Sequence, residues 1–267
     1  MQLAHEAALN GAGLSSVDSR VLCMGISTDT PKVTINTAAA YGMDGQRITG
    51  NRRDCLDVNV SFGLLCRKEE MQTRAELFEM VTSWALTAVD GAWLTIGNRP
   101  ERRLWVRLQK MPAEGDPWQW TNTYTITFRA NEVPWWQDVS QSLLRRENVT
   151  SGTYSMSVTG NVRTVMDFTY TNTGSAACDA ITVSTGTSVF AFANLGCGVG
   201  EKLVIDHTEE GLLRIRIQAT GGAYRSAMAK RTPASSDDLW IAPGVPQVTI
   251  TAGVSGTCLL TCYGRFA

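Results

Sequence analysis

Hydrophobic and polar residues alternate along much of the chain, and this pattern predicts β-strands. In the clearest case, every second residue from Val58 to Cys66 is apolar, while Asn59 and Ser61 are among the residues between them. A period of two over that length indicates a strand with one buried face. Shorter segments with the same pattern predict further strands at 21–25, 32–36, 92–96, 104–109 and 123–129.

One segment of the first half has a helical period instead. Apolar residues recur at helical spacing between positions 77 and 88. The segment Thr73–Glu76 has the form of a capping box, in which a hydroxyl and a carboxylate accept bonds from free backbone amides. Gly91 suits the left-handed conformation that ends many helices. We therefore predict an α-helix from about Arg74 to Val89, roughly 24 Å long, with its apolar side on a sheet.

The pattern changes at the Pro-Trp-Trp sequence of 134–136. Seven of the eight tryptophans and the predicted helix lie before the end of this sequence, and short Thr-, Ser- and Gly-rich strand segments follow it. Regular short strands with turn residues between them are typical of a β-sandwich. We predict a mainly β protein with an N-terminal arm at 1–18, a β-sandwich-like domain with one helix at 19–136, a linker at 137–150 and a β-sandwich at 151–267.

Composition and charge remove several functional classes. Hydrophobic residues make up 43% of the chain and charged residues 18%, as in ordinary globular proteins. The net charge of −1 is spread evenly, without the basic stripe of a nucleic-acid-binding protein. An apolar run of about 18 residues is missing, so we predict no membrane span. The first residues lack the regions of a signal peptide, so we expect synthesis in the cytoplasm.

Few residues suggest a chemical site. His207 lies beside acidic residues at 205–210, which makes it a weak candidate for a metal ligand or a catalytic base. The seven cysteines have no CxxC pair and fit no common zinc spacing. Cys258 and Cys262 are about 13 Å apart on a predicted strand, too far for a disulfide, so we expect buried thiols. We assign no catalytic, cofactor-binding or metal-binding residue.

The tryptophans keep a second functional class open. Sugar-stacking or partner-binding surfaces are conceivable at Trp118, Trp120, Trp135 and Trp136, and Trp240 is the only tryptophan of the second half. The simpler interpretation is structural, with the Trp135–Trp136 pair closing the end of the first domain. A carbohydrate-binding module is therefore one alternative, and a hydrolase of cell-wall polymer, based on a histidine and scattered acids, is a weaker one.

Several short segments, in their order and spacing, resemble the distal tail protein (Dit) family of siphophages. The resemblance includes the strand ITFRANEVPWW at 126–136 and the segment LWIAPG at 239–244. It covers most of the chain from about Ser19 onward. The matching segments are the helix with 92–97 and 126–136, then 172–175 with 181–183 and 200–206, and finally 239–244 with 263–265.

This resemblance implies a structural role and not an enzyme. Members of the family form a hexameric ring between the tail tube and the tail tip or hub. Their N-terminal domains build the ring, and their galectin-like C-terminal β-sandwich offers attachment for receptor-binding or baseplate proteins. The resemblance thus implies a homo-hexamer at the virion tail tip, synthesised in the host cytoplasm, with tail-tube and hub proteins as partners and no cofactor. The galectin-like fold does not by itself imply sugar binding.

Overall fold

The computed structural model describes residues 6–30, 33–38, 47–67, 69–113 and 123–267, except for the side chains of 49–52. The chain divides into two compact units, Met1–Trp136 and Gln137–Ala267, which we call the N-terminal and C-terminal units. Strands dominate the described residues, and the predicted mainly β fold is confirmed. No helix among the described residues is long and apolar enough to span a membrane.

The N-terminal unit is built from nine strands and one α-helix in its described part. The strands of its main sheet lie in the order β3-β6-β9-β8-β7-β1-β2, and β4 and β5 form a separate two-stranded sheet. The strands are β1 Ala7–Leu9, β2 Ala12–Gly13, β3 Val21–Thr28, β4 Val33–Ala38, β5 Arg47–Arg53, β6 Leu56–Leu64, β7 Ala92–Ile96, β8 Arg99–Lys110 and β9 Thr123–Ala130.

The helix, α1, runs from Met71 to Leu86, three residues earlier at both ends than the sequence predicts. Its N-cap residue is Glu70 and makes no side-chain capping bond, so the predicted capping box at Thr73–Glu76 is wrong. Tertiary contacts decide the register, because the buried Arg74 donates from Nε and Nη2 to the hydroxyl of Tyr124 at 3.0 and 2.6 Å. The helix therefore begins early enough to carry Arg74 onto the sheet.

The predicted N-terminal arm is largely part of the folded unit, which corrects the sequence-based expectation for 1–18. Strands β1 and β2 form a hairpin around Asn10 and Gly11, both with positive φ, and β1 pairs with β7. A 3-10 turn at Leu14–Ser16 follows. The Ala-Ala-Leu strand is buried because it covers the edge of β7, a burial that its short Ala-rich sequence could not show. Residues 1–5 of the predicted arm lie outside the described residues.

The C-terminal unit consists of two long strands, β10 and β19, and eight short ones, and it has two packed layers. One layer has the order β17-β16-β15-β12-β19, while β13 pairs with both β14 and β19, and β11 pairs with β18. Strand β10 neighbours β19. The strands are β10 Trp136–Ser155, β11 Thr164–Val165, β12 Asp167–Asn172, β13 Ile181–Ser184, β14 Val189–Phe192, β15 Lys202–His207, β16 Leu213–Gln218, β17 Tyr224–Ser226, β18 Trp240–Ile241 and β19 Gln247–Phe266; a 3-10 turn spans Met228–Lys230.

The segment 137–150, predicted to be a linker, is most of strand β10. Only Leu144 and Val149 are buried between positions 139 and 153. A strand so widely exposed shows no alternation of apolar and polar residues, and Asn148 interrupts its extended backbone with a φ of 55°. The sequence therefore gave no period-two signal there, and the pairing of the backbone decided the structure.

The long strand β19 holds the two layers of the C-terminal unit together. Its first half pairs with β13, with Ile181 opposite Ala252, and its second half pairs with β12, with Asn172 opposite Gly256. A Cβ at Gly256 would lie 2.1 Å from the ring of Tyr170, so only glycine fits where the strand passes this buried tyrosine. The buried side chains of both layers form a single core.

Candidate assembly surface

The hairpin of β4 and β5 stands apart from the main sheet of the N-terminal unit. All six residues of β4 are exposed. Val33 and Ile35 alternate along β4, and Ile48 lies on the same face because it is opposite Thr37. The exposed fractions of Val33, Ile35 and Ile48 are 53, 55 and 61%. One face of the hairpin is therefore an apolar surface in contact with solvent.

The base of this hairpin is fixed although its face is uncovered. The guanidinium of Arg53 lies 3.8 Å from the centre of the Trp135 ring, and the hydroxyl of Thr34 donates to Asp54 at 2.8 Å. A two-stranded hairpin alone is marginally stable in water, and contiguous exposed apolar residues mark interaction sites. An anchored hairpin with an uncovered apolar face is suited to pack against another protein surface.

The hairpin strands are also basic. Their sequences, VTINTA and RITGNRR, contain Arg47, Arg52 and Arg53 and no acidic residue. Arg47 is exposed in the structure. The register places Arg47 opposite Ala38, on the face that does not carry Ile48, and Arg53 opposite Val33. The charge of the hairpin as a whole favours a partner surface with acidic residues.

A second exposed apolar surface of the N-terminal unit lies at the start of α1. A shallow cavity of about 360 Å³ is lined by Leu64, Leu65, Cys66, Arg67 and Glu70. The exposed fraction of Leu65 is 56%. The carboxylate of Glu70 accepts a bond from the amide of Arg67 at 3.0 Å, which holds the loop before the helix in place. Burial raises the pKa of the Cys66 thiol above its ordinary value.

The outer side of α1 continues this surface. Met71 and Met80 are exposed on the helix, beside the exposed acids Glu76 and Glu79. The only basic residue within α1 is Arg74, which is buried against Tyr124. Two arginines lie among these acids, because Arg67 lines the cavity and Arg20 interacts electrostatically with Glu70 and Glu76. This side of the unit thus carries apolar, acidic and basic residues, whereas the two hairpin strands carry no acidic residue.

Strand β3 offers a third feature for assembly, a sheet edge. Among the described strands it pairs with β6 alone. Its sequence, VLCMGIST, contains no charge and no proline, and a bulge near Met24 is its only irregularity. Proteins usually protect such an edge with charged residues or proline. Within the described residues, this strand has neither along its length, and its bulge near Met24 is the feature that would interrupt a ladder with another strand.

The sequence-based candidate His207 belongs to a buried charged cluster in the C-terminal unit. Its side chain is 5% exposed, Nδ1 lies 2.7 Å from Asp167 and Nε2 lies 2.8 Å from Asp238. Burial alone would lower the pKa of His207, but the hydrogen bonds to Asp167 and Asp238 outweigh it and raise the pKa to about 9. Both nitrogens therefore carry protons at neutral pH.

This arrangement leaves His207 without a free nitrogen for catalysis or metal binding. A general base needs an unprotonated nitrogen within reach of a substrate. In the described part of the chain, no group of three or more His, Cys, Asp or Glu side chains is placed to hold a metal ion. The histidine instead ties the start of β12 to the segment before β18.

The tryptophans considered for sugar stacking are mostly covered. Trp240 has Arg163 at 4.6 Å and Arg265 at 5.8 Å from its ring centre. Trp136 is buried, and Arg53 covers Trp135. The other two candidates, Trp118 and Trp120, lie outside the described residues. Each of the three candidates that the structure describes is therefore buried or has an arginine over its ring.

All seven cysteines are free thiols. Cys258 and Cys262 are buried as predicted, and so are Cys178 and Cys197. Cys55 is exposed beside the hairpin, which the expectation of small buried thiols did not cover. The sequence also gave no sign of the exposed hairpin face or of the cavity, since period-two alternation alone does not tell which face a neighbour covers.

Comparison with known proteins identifies the fold. No protein-family model and no curated protein sequence matches the chain. Among solved structures, the chain is similar to the Dit protein of phage SPP1, with a TM-score of 0.70 and 15% sequence identity. The match covers 98% of this chain and 99% of that one. The SPP1 protein is described as a paradigm of the hub adsorption apparatus in phages infecting Gram-positive bacteria. A chain of the phage P2 baseplate in its activated conformation with calcium has a TM-score of 0.48 and 8% identity, covering 92% and 90%. The predicted resemblance to distal tail proteins is confirmed at the level of the fold.

Proposed function

We propose that this chain is a structural subunit of a phage tail tip, a distal tail protein that forms a closed ring of six copies. The likeness to the SPP1 Dit protein over nearly the whole of both chains supports this proposal. The observation that carries it is the β4–β5 hairpin, an anchored element whose apolar face its own unit leaves uncovered. Such a face is stabilised by another subunit.

A closed ring needs two different surfaces on each copy, one for each neighbour. The N-terminal unit has two separate apolar surfaces, the basic hairpin and the surface at the start of α1. The uncharged edge of β3 adds a row of backbone groups that a neighbouring strand can bond. These features support assembly through the N-terminal unit.

In this role the ring joins the tail tube to the hub and the adhesion apparatus in the virion, and its C-terminal units offer attachment for receptor-binding or baseplate proteins. The subunits are made in the host cytoplasm before assembly. This proposed role requires protein–protein interfaces and no chemical reaction, so we propose no enzymatic activity. The paired nitrogens of His207 and the covered ring of Trp240 support this choice over a hydrolase or a sugar-binding module.

Light scattering coupled to size-exclusion chromatography tests the proposal. The purified chain is expected to form a particle of six times 29.1 kDa, about 175 kDa, at high concentration. Ile35→Glu places a charge on the apolar face of the hairpin and should weaken assembly at least about tenfold, the effect of losing ~1.4 kcal/mol. Leu212→Glu, at an equally exposed leucine of the C-terminal unit, is the matched control and should leave the ring intact.

A chain that stays monomeric at every concentration, also when mixed with the tail-tube protein of the same phage, would contradict the proposal. Negative-stain images give a second criterion. Open, filament-like particles would show that the copies assemble, but they would contradict the closed ring.

A further inference from the structure

The ring proposal does not say which surface of the neighbouring copy the β4–β5 hairpin binds. An inference about that surface rests on the proposed ring function. The surface of the neighbouring copy that binds the hairpin must be apolar enough to cover Val33, Ile35 and Ile48. It must also tolerate the positive charge that Arg47 and Arg53 bring to the hairpin. Finally, it must differ from the hairpin itself, because the contacts of a closed ring join two unlike surfaces.

The cavity at the start of α1 meets the first requirement. Leu64 and Leu65 form its apolar lining, and the exposed Met71 follows directly in the helix, with 52% of its surface uncovered. This open, shallow depression of about 360 Å³ offers contact area for apolar side chains of a neighbouring copy, chiefly at Leu65. The hairpin supplies apolar side chains on one rigid face.

Charge complementarity meets the second requirement. Glu70 lies at the cavity, and Glu76 and Glu79 are exposed on the first turns of α1. Two arginines lie near these glutamates: Arg67 lines the cavity, and Arg20, which is paired with Asp18, interacts electrostatically with Glu70 and Glu76. The acidic excess of this side therefore depends on the remaining exposed acids, among them Glu79. Matching of a basic hairpin with an acidic helix side steers two copies into one register and disfavours hairpin-to-hairpin contacts, in which like charges would meet.

We propose that the apolar face of the β4–β5 hairpin of one copy binds in the α1 cavity of the next copy, with the hairpin arginines beside the glutamates of α1. Each copy then gives a hairpin to one neighbour and receives one from the other. This contact covers the two apolar surfaces together. It also places Cys66 of the receiving copy beneath the hairpin that it holds.

The native thiol of Cys66 makes the contact testable by cross-linking. In a background with Cys55→Ser, which removes the exposed thiol near the hairpin, Ile35→Cys puts a new thiol on the bound face. Oxidised glutathione then accepts two electrons and two protons as the thiols of two copies join in one disulfide. Denaturing gels without reductant should show a ladder of linked copies up to the closed ring, and reductant should collapse it to one band.

Two matched variants give the control. Ala38→Cys lies on the opposite face of the same strand and should yield at least about tenfold less cross-linked product, a difference of ~1.4 kcal/mol in contact preference. Ile35→Cys combined with Cys66→Ser should yield no ladder. Leu65→Glu, at an exposed position of the cavity, should weaken assembly while its circular dichroism and melting temperature stay close to those of the parent.

The outcomes separate this inference from the function on which it rests. Rings of six copies without a Cys66-dependent ladder, and unaffected by Leu65→Glu, would overturn the cavity as the binding site and leave the ring proposal standing. A chain that does not associate at all would overturn both. A ladder that depends on Cys66 and on the face of the hairpin supports both.

Discussion

The N-terminal and C-terminal units differ in where each has its most concentrated unusual feature, although both bury some charged residues and both expose some apolar ones. The N-terminal unit exposes apolar side chains, on the β4–β5 hairpin and around the cavity at α1. The C-terminal unit buries charge, with His207 enclosed between Asp167 and Asp238. Exposed apolar surface is stabilised by association, whereas buried charge is stabilised only by partners inside the same fold. The clustered apolar surface of the first unit is therefore suited to association, and the charge on His207 constrains the interior of the second.

The largest expected change in the free energy of unfolding comes from a substitution in the core of the N-terminal unit. It tests whether this unit has a complete core in spite of its exposed apolar surface. Trp84 packs edge-on against Phe128, with ring centres 5.9 Å apart, and its Nε1 donates to the carbonyl of Ala12 at 2.8 Å. Trp84→Ala should lower the free energy of unfolding by ~3–5 kcal/mol. Urea unfolding followed by circular dichroism measures it.

The control is Ser83→Ala on the exposed side of the same helix, which should change the free energy of unfolding by less than about 0.5 kcal/mol. If both variants behaved alike, the helix would not be part of a core. The N-terminal unit would then depend on its neighbours for folding as well as for assembly.

The second effect tests the buried charge of the C-terminal unit. The pKa of His207 is raised to about 9 from an ordinary 6.5. A pKa raised in the folded state gives stability that is complete below about pH 6.5 and is lost as the pH rises toward 9. The loss should be on the order of 3 kcal/mol. Hydrogen exchange of amides in the C-terminal unit between pH 6 and pH 9.5, corrected for intrinsic rates, measures it.

His207→Gln sharpens this second test. Glutamine cannot carry the positive charge between the two aspartates, so the variant should be less stable than the parent at pH 6 and should lose the pH dependence described above. A variant that kept the full pH dependence would show that groups other than His207 cause it.

The smallest expected effect on stability belongs to the hairpin. Ile35→Ser and Ile48→Ser replace side chains that are more than half exposed, so the free energy of unfolding of the monomer should change by less than about 0.5 kcal/mol. Assembly, by contrast, should weaken. Thermal melts of dilute monomer and light scattering at high concentration separate the two quantities. A large loss of monomer stability would mean that the hairpin belongs to the core of its own unit.

Much of the fold was predictable because its strands have one buried and one exposed face. The predicted alternation from Val58 to Cys66 corresponds to β6, and the helical period between 77 and 88 lies mostly within α1. Both elements pack one face on a core, and such packing leaves a clear period in the sequence. Arg74 in the first turn of α1 bonds to Tyr124, fifty residues away, and a contact at that separation leaves no local signal in the sequence.

The remaining features depend on contacts that no local pattern encodes. Strand β10 is too exposed to alternate, and β1 is too short. The hairpin of β4 and β5 alternates like any half-buried strand, so its sequence could not show that the apolar face lacks a cover. His207 was visible as a candidate, but its partners lie 40 and 31 residues away and convert a possible catalytic residue into a structural cation.

By itself, the sequence determined the mainly β class, the single predicted helix and the change of pattern after the two tryptophans, because these follow from periodicity and composition within short segments. The tertiary structure alone decided that the arm joins the sheet, that the proposed linker is a strand and that one hairpin stands uncovered. Each of these depends on which surfaces meet across long stretches of chain. Whether a residue is buried depends on which surfaces pack together in the folded chain. The type of the residue only restricts which of these outcomes is favourable.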